Sequence, residues 1–164
     1  MNEGPTRVLI VDDEPAHALA IRRALEHARP AFEVQVAGTL REFDEVVHDK
    51  PPDLALVDLN LPDGRAVEVL TSPPEAGRFP ILIMTSYGSE ATAVEAMKAG
   101  ALDYVVKSPE AFLNMPQTIA GALREWRLLK QGQEAQAALR ESEARYRTLA
   151  GMAPVGIFRT DETG

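Results

Sequence analysis

Five short apolar runs constrain this chain most. They read RVLIV (7–11), VQVAG (34–38), DLALVD (53–58), PILIMTS (80–86) and LDYVVK (102–107). Each is too short for a helix and largely apolar, several are rich in β-branched residues, and each predicts a strand. Between them lie segments with helical spacing. PAHALAIRRALEHA sets Ala18, Ile21 and Leu25 on one face. TLREFDEVVHD does the same with Leu40, Phe43 and Val47, and Thr39 stands as its N-cap. GRAVEVLTS predicts a third helix, and SEATAVEAMKAG a fourth that opens at Ser89 and closes at Gly100. PEAFLNMPQTIAGALREWRLL predicts the fifth.

Strands that alternate with helices make βαβ units, and their near-continuous apolar character means that helices cover both faces. The fold class expected is therefore α/β, a doubly wound five-stranded parallel sheet. In such sheets the site lies outside the C-terminal ends of the strands.

Those ends carry the chemistry. The first run closes on VDDEP, with Asp12 and Asp13, the third on Asp58, the fourth on Thr85 and Ser86, and the fifth on Lys107. In a parallel sheet these residues share one edge. Three close carboxylates repel one another and raise each other's pKa. A hard divalent cation relieves that repulsion, and an all-oxygen donor set suits Mg²⁺. A carboxylate left facing outward is a nucleophile toward phosphorus, with Lys107 and the Thr85 hydroxyl available to the phosphoryl oxygens.

Composition narrows the field. The chain has 164 residues, 45% of them hydrophobic, which suits one ordinary domain and something extra. It has no cysteine, which removes disulfides and thiolate metal sites and fits a reducing cytoplasm. No segment has the apolar length of a membrane span, and MNEGPTR lacks the pattern of a secretion signal. The net charge of −8 argues against a nucleic-acid footprint, which needs clustered Lys and Arg. Residues 1–118 hold 11 of the 12 prolines and all the excess acid, while residues 119–164 are net +1, so a domain boundary is expected soon after residue 118.

Taken together, IVDDEP, LVDLNLPDG, MTS and DYVVK, in that order, resemble the receiver domain of two-component response regulators over about residues 6–127. The resemblance implies a flavodoxin-like fold in which Asp58 is the phospho-acceptor. It implies Mg²⁺ held by Asp12, partly through water, by Asp13 and Asp58, and by the backbone carbonyl of Asn60. Thr85 and Lys107 would contact the phosphoryl group, and Tyr104 would be the aromatic that follows the Thr85 hydroxyl in the switch. The donor would be a histidine kinase or a phosphotransfer protein. The domain would catalyse its own transfer and, slowly, its own hydrolysis; no kinase core is present in these residues.

Two positions depart from the family pattern. Ser108 stands between Lys107 and Pro109, where proline usually follows the lysine directly through a cis peptide. A cis bond after Lys107 is not expected here. Ser86 replaces a very small residue, and Tyr87 follows it. The resemblance implies that Asn60 and Tyr87 would admit or exclude hydrolytic water, with an effect on phosphoryl lifetime.

Singly, these residues have plainer readings. DDEP caps helices, Asp58 before LNLPDG suits a turn, Thr85 and Ser86 suit caps, Lys107 suits a solvated charge and Tyr104 a half-buried sheet position. Only the joint reading explains five of them at one sheet edge. Two rivals stand beside it: a receiver-like docking or dimerisation module without phosphoryl chemistry, and an aspartate-nucleophile phosphohydrolase. The latter class places its nucleophile in a D-x-D pattern after the first strand, where this chain has adjacent Asp12 and Asp13. His17, His27 and His48 read as surface residues.

From Thr118 to Ala150 nothing stops a helix, and Gly121 and Gly132 only weaken it. A heptad seam runs through Leu128, Gly132, Ala135, Leu139, Ser142, Tyr146 and Leu149. With so many small or polar positions it describes a marginal coiled coil or a solvated linker helix. The last segment, ESEARYR followed by APVGIFRTDETG, resembles the entry to a PAS domain. The expected division is a receiver domain at 1–127, a linker helix at 128–150 and the start of a PAS domain at 151–164. That arrangement suits a fragment of a hybrid sensor histidine kinase. A homodimer through the fourth helix, fifth strand and fifth helix, or through the C-terminal helix, is a further expectation.

Overall fold

A computed structural model describes residues 4–152. Residues 153–164, most of the segment that resembles a PAS entry, lie outside the described part. The chain divides into two units between Arg127 and Leu128.

In chain order the first unit contains β1 (Thr6–Val11), α1 (Pro15–Glu26), β2 (Phe32–Ala37), α2 (Leu40–Asp49) and β3 (Leu54–Asp58). A small ladder follows, β4 (Asn60–Leu61) against β5 (Gly64–Arg65), then β6 (Ile81–Thr85), α3 (Glu90–Ala99), β7 (Asp103–Val106) and α4 (Pro109–Leu113). The helix α5 (Met115–Met152) begins in this unit and carries on into the second.

The five longer strands form one sheet in the order β2-β1-β3-β6-β7, and every pair is parallel. The expected doubly wound parallel sheet is what the chain forms. The order reverses at β1, so the crevice beyond the ends of β1 and β3 is the topological switch point. Side chains alternate across the sheet. Leu9, Val11, Ala55, Val57 and Ile83 pack with Leu40 and Phe43 of α2 and Ala96 of α3. Val8, Ile10, Leu54, Leu56, Leu82 and Met84 point the other way and are as deeply buried. Ile21 and Leu25 of α1 and Met115 and Ile119 of α5 are also fully buried.

The caps read from the sequence form as hydrogen bonds. Thr39 Oγ1 accepts from Glu42 N at 3.1 Å, and Ser89 Oγ from Thr92 N at 3.1 Å. Gly100 closes α3 with φ +117°, a left-handed conformation that strains any residue with a Cβ. A Cβ there would also collide with the Thr71 carbonyl oxygen.

Two helical expectations are corrected. GRAVEVLTS forms only a 3₁₀ turn at Ala66–Val69, and Leu70 is already extended. Val67, Val69 and Thr71 are β-branched and stiff, and Pro73 and Pro74 bar continuation from Ser72. Ala66 is nonetheless fully buried, so the segment still covers the core. The fifth helix is split at Asn114 into α4 and α5. Pro116 has no N–H to donate and would clash inside a continuous helix, so it sits in the first turn of α5 instead.

In the second unit most described α5 residues are exposed, Leu129, Lys130, Gln133 and Ala150 are half-buried, and the seam residues Leu128, Leu139, Tyr146 and Leu149 are all exposed.

Candidate functional site

The strand ends converge as the topology requires. The N–H of Asp12 bonds to the Ala37 carbonyl at 2.9 Å, which extends the β1–β2 ladder by one residue and fixes Asp12 at the edge. Its Oδ1 accepts from the Glu14 N–H at 2.9 Å, and the side chain is fully buried. Asp13 is exposed beside it. Asp58, the last residue of β3, is half-buried. The carboxylates of Asp12, Asp13 and Asp58 each bring an oxygen within 4.8 Å of the others.

Lys107 follows β7, and its N–H donates to the Thr85 carbonyl at 2.8 Å, so backbone pairing sets where its side chain starts. Its Nζ lies 2.7 Å from Asp12 Oδ2 and 3.0 Å from Asp58 Oδ2, with the side chain only 4% exposed. Burial pushes the Asp58 carboxyl above the ordinary aspartate range; Lys107 pulls against that rise and the charge of Asp12 adds to it. Burial also opposes the charge on Lys107, but its contacts with Asp12 and Asp58 outweigh burial, and its pKa is raised. The ammonium therefore stays charged among the carboxylates.

The loop after Asp58 is held from both sides. Asn60 pairs with Arg65 in the β4–β5 ladder and is exposed. Asp63 accepts from the N–H groups of Leu40 at 2.9 Å and Arg41 at 3.0 Å, which ties the loop to the start of α2 and holds the carboxyl below its usual range. Arg65 meets Glu95 of α3 with two bonds, at 2.7 and 3.0 Å.

Thr85 ends β6 and is buried, but its hydroxyl is not turned to Asp58: it donates to the Tyr87 carbonyl at 3.0 Å. Tyr104 is half-buried, and its hydroxyl oxygen is enclosed without a hydrogen-bond partner. A Cβ added at Gly88 would lie 3.1 Å from that oxygen and 2.6 Å from Val106 Cγ2, so glycine lets this loop lie close over the Tyr104 ring. Ser108 is the N-cap of α4: its Oγ accepts from Ala111 N at 3.0 Å, and Pro109 takes the first turn. The cis peptides among the described residues are Arg29–Pro30 and Ser72–Pro73, so the Lys107–Ser108 bond is trans. The inserted serine makes the residue after the lysine a helix cap.

The structure thus gathers Asp12, Asp13, Asp58 and Lys107, places Asn60 at their rim, and leaves the Thr85 hydroxyl and Tyr104 on the neighbouring β6–β7 side. One residue was misread. His17 is not a free surface histidine: its Nδ1 lies 3.2 Å from Lys107 Nζ and 3.6 Å from Asp12 Oδ2, and its ring packs on Phe112. The available signal was its place in the first turn of the helix that follows Asp12 and Asp13, where side chains lean back toward the strand end. His27 and His48 are exposed, as expected.

Residues 8–116 match the family model of the response regulator receiver domain. The chain belongs to that family. This receiver chain is 37% identical over 132 residues to the methanogenesis regulatory protein FilR1 of Methanothrix harundinacea, across 77% of this chain and 29% of that protein. It is 37% identical over 108 residues to the photosynthetic apparatus regulatory protein RegA of Rhodobacter capsulatus, across 63% of this chain and 56% of that protein. It therefore spans between a quarter and three fifths of the length of these relatives. Among solved structures, a CheY-like response regulator receiver protein from Methanospirillum hungatei JF-1 superposes with a TM-score of 0.62 at 27% identity, over 76% of this chain and 98% of that one. The beryllofluoride-activated NtrC4 receiver domain dimer superposes with a TM-score of 0.62 at 32% identity, over 73% and 98%. Receiver domains generally bind Mg²⁺ in an acidic pocket, and the Asp12, Asp13 and Asp58 cluster offers the donor set such an ion takes. Among the described residues no helix is long and apolar enough to cross a membrane.

Proposed function

We propose that Asp58 accepts a phosphoryl group from a phosphohistidine on a histidine kinase or phosphotransfer protein. The observation that carries this is the setting of Asp58: half-buried at the end of β3, clustered with two further carboxylates and 3.0 Å from a buried ammonium. A carboxylate oxygen of Asp58 attacks phosphorus, the P–O bond forms as the P–N bond breaks, and the donor imidazole leaves with the electron pair. Asp12, Asp13, Asp58 and the Asn60 carbonyl would hold Mg²⁺, which when bound supplies positive charge for the phosphoryl oxygens. Lys107 supplies a second, permanent charge to the same oxygens. Thr85 exchanges its bond to the Tyr87 carbonyl for one to the phosphoryl group. Tyr104 follows, changing the face built from α3, β7 and α5.

The same reading extends to the division of the chain. Residues 1–127 act as the receiver, 128–150 as a linker helix whose marginal seam tolerates small changes of register, and 151–164 as the opening of a PAS domain. The parent is then a cytoplasmic hybrid histidine kinase, with a homodimer formed through the α3–β7–α5 face or the linker helix. The NtrC4 receiver, a dimer in its beryllofluoride-activated form, supports that part of the reading.

The test is intact mass after incubation with acetyl phosphate and Mg²⁺. One added phosphoryl group is expected, absent with EDTA and absent in Asp58→Asn. No adduct in the wild type, with no binding of beryllofluoride, leaves the docking-module reading in its place.

A further inference from the structure

Lys107 carries three N–H donors and no acceptor. It forms ion pairs with Asp12 Oδ2 and Asp58 Oδ2, at 2.7 and 3.0 Å. Its side-chain hydrogen-bond contact is with His17 Nδ1 at 3.2 Å. An ammonium only donates, so a hydrogen bond across this contact requires Nδ1 as the acceptor, with the imidazole proton on Nε2. Nδ1 lies 3.6 Å from Asp12 Oδ2, too far for a bond of its own, so the histidine and the aspartate share one ammonium.

The fold builds this contact. Pro15 starts α1 one residue after the acidic pair, with Glu14 as the N-cap, which puts His17 in the first turn beside the strand end. The ring is steadied from behind by Phe112 of α4, with centroids 5.5 Å apart and planes tilted by 47°. Phe112 is itself buried, and α4 is set by the Ser108 cap directly after Lys107. The Ser108 insertion therefore helps to place the support for the residue that holds Lys107. A lysine side chain has four rotatable bonds, and a third fixed acceptor confines it to one position.

We propose that His17 is a positioning residue: its Nδ1 holds the Lys107 ammonium at Asp58 for phosphoryl transfer. This rests on the reading of Asp58 as phospho-acceptor.

The test uses the whole chain with two variants that separate packing from hydrogen bonding. His17→Phe keeps an aromatic ring against Phe112 but has no acceptor. His17→Asn puts a carbonyl oxygen at the same bond separation from the backbone as Nδ1. Phosphoryl uptake from acetyl phosphate is followed at saturating Mg²⁺, and the Lys107 ammonium is observed by ¹H–¹⁵N correlation. His17→Phe is expected to lower the maximal uptake rate about tenfold, to leave the half-saturating acetyl phosphate within about twofold, and to broaden or remove the Lys107 signal. His17→Asn is expected to recover the rate to within about threefold of wild type and to restore the signal.

An unchanged rate and signal in His17→Phe, or equal losses in both variants, overturns the proposal. If the wild type itself takes up no phosphoryl group, the Asp58 reading fails, and the ammonium spectra still decide whether His17 holds Lys107.

Discussion

The Thr85 hydroxyl donates to the Tyr87 carbonyl at 3.0 Å and accepts from the Tyr87 N–H at 3.3 Å, which closes it into a local turn instead of aiming it at Asp58. The residue proposed to sense the phosphoryl group is thus committed elsewhere, and sensing requires that bond to be exchanged. Tyr104, with its hydroxyl enclosed and unbonded, is the neighbouring side chain with most to gain from a rearrangement of the same loop.

Removing the hydroxyl separates acceptance from response. Thr85→Ala is expected to lower unfolding free energy by about 1 kcal/mol, the net value of one such bond. Beryllofluoride should still bind at Asp58, but the Tyr104 ring resonances should no longer shift. Ring shifts of wild-type size in Thr85→Ala would show that Tyr104 responds by another route.

Lys107 has a structural role that its chemical role predicts. Replacing it by Met leaves the buried Asp12 carboxylate beside Asp58 with no counter-charge. Unfolding free energy at neutral pH should drop by about 3 kcal/mol, as for other broken buried pairs. Added Mg²⁺ should restore part of the loss, because a divalent cation relieves the same repulsion. Urea titrations with Mg²⁺ and with EDTA measure both effects, and equal midpoints in the two conditions would rule out the shared electrostatic origin.

Asp63 gives a pH signature away from the site. Its carboxyl is held below the usual aspartate range by the Leu40 and Arg41 N–H groups. A depressed carboxylate stabilises the fold above its unfolded pKa, and that contribution disappears as pH falls through the folded value. Asp63→Ala should therefore be less stable than wild type by a constant amount between neutral pH and the onset of aspartate titration, with the gap narrowing at lower pH. Chemical denaturation across that range checks this, and a gap that widens on acidification would refute it.

Much of this protein could be read from residue order. The five apolar runs, the caps at Thr39, Ser89 and Gly100, and the buried face of α1 all depend on local spacing, and each formed where spacing put it. The parallel sheet followed from alternation of strands and helices, and that topology alone sends Asp12, Asp58 and Lys107 to one edge. Local pattern failed at GRAVEVLTS, where helical spacing was outweighed by β-branched residues and the prolines beyond them, and at Asn114, where Pro116 divided one expected helix into two.

Tertiary structure decided what side chains do once they meet. The position of Thr85 followed from β6, but the direction of its hydroxyl depends on the Tyr87 backbone. The serine inserted after Lys107 became the cap of α4 only because the chain turned there. His17 had no partner within its own helix; Lys107, 90 residues away, reaches it only when β7 lies beyond β3 and β6 in the folded sheet. Short-range spacing determines helices and their caps because their hydrogen bonds are local, and it marks strands because their apolar runs must be buried. Asp12 after β1, His17 in α1 and Asp58 at the end of β3 surround the ammonium of the lysine that follows β7, and only folding brings those distant segments together.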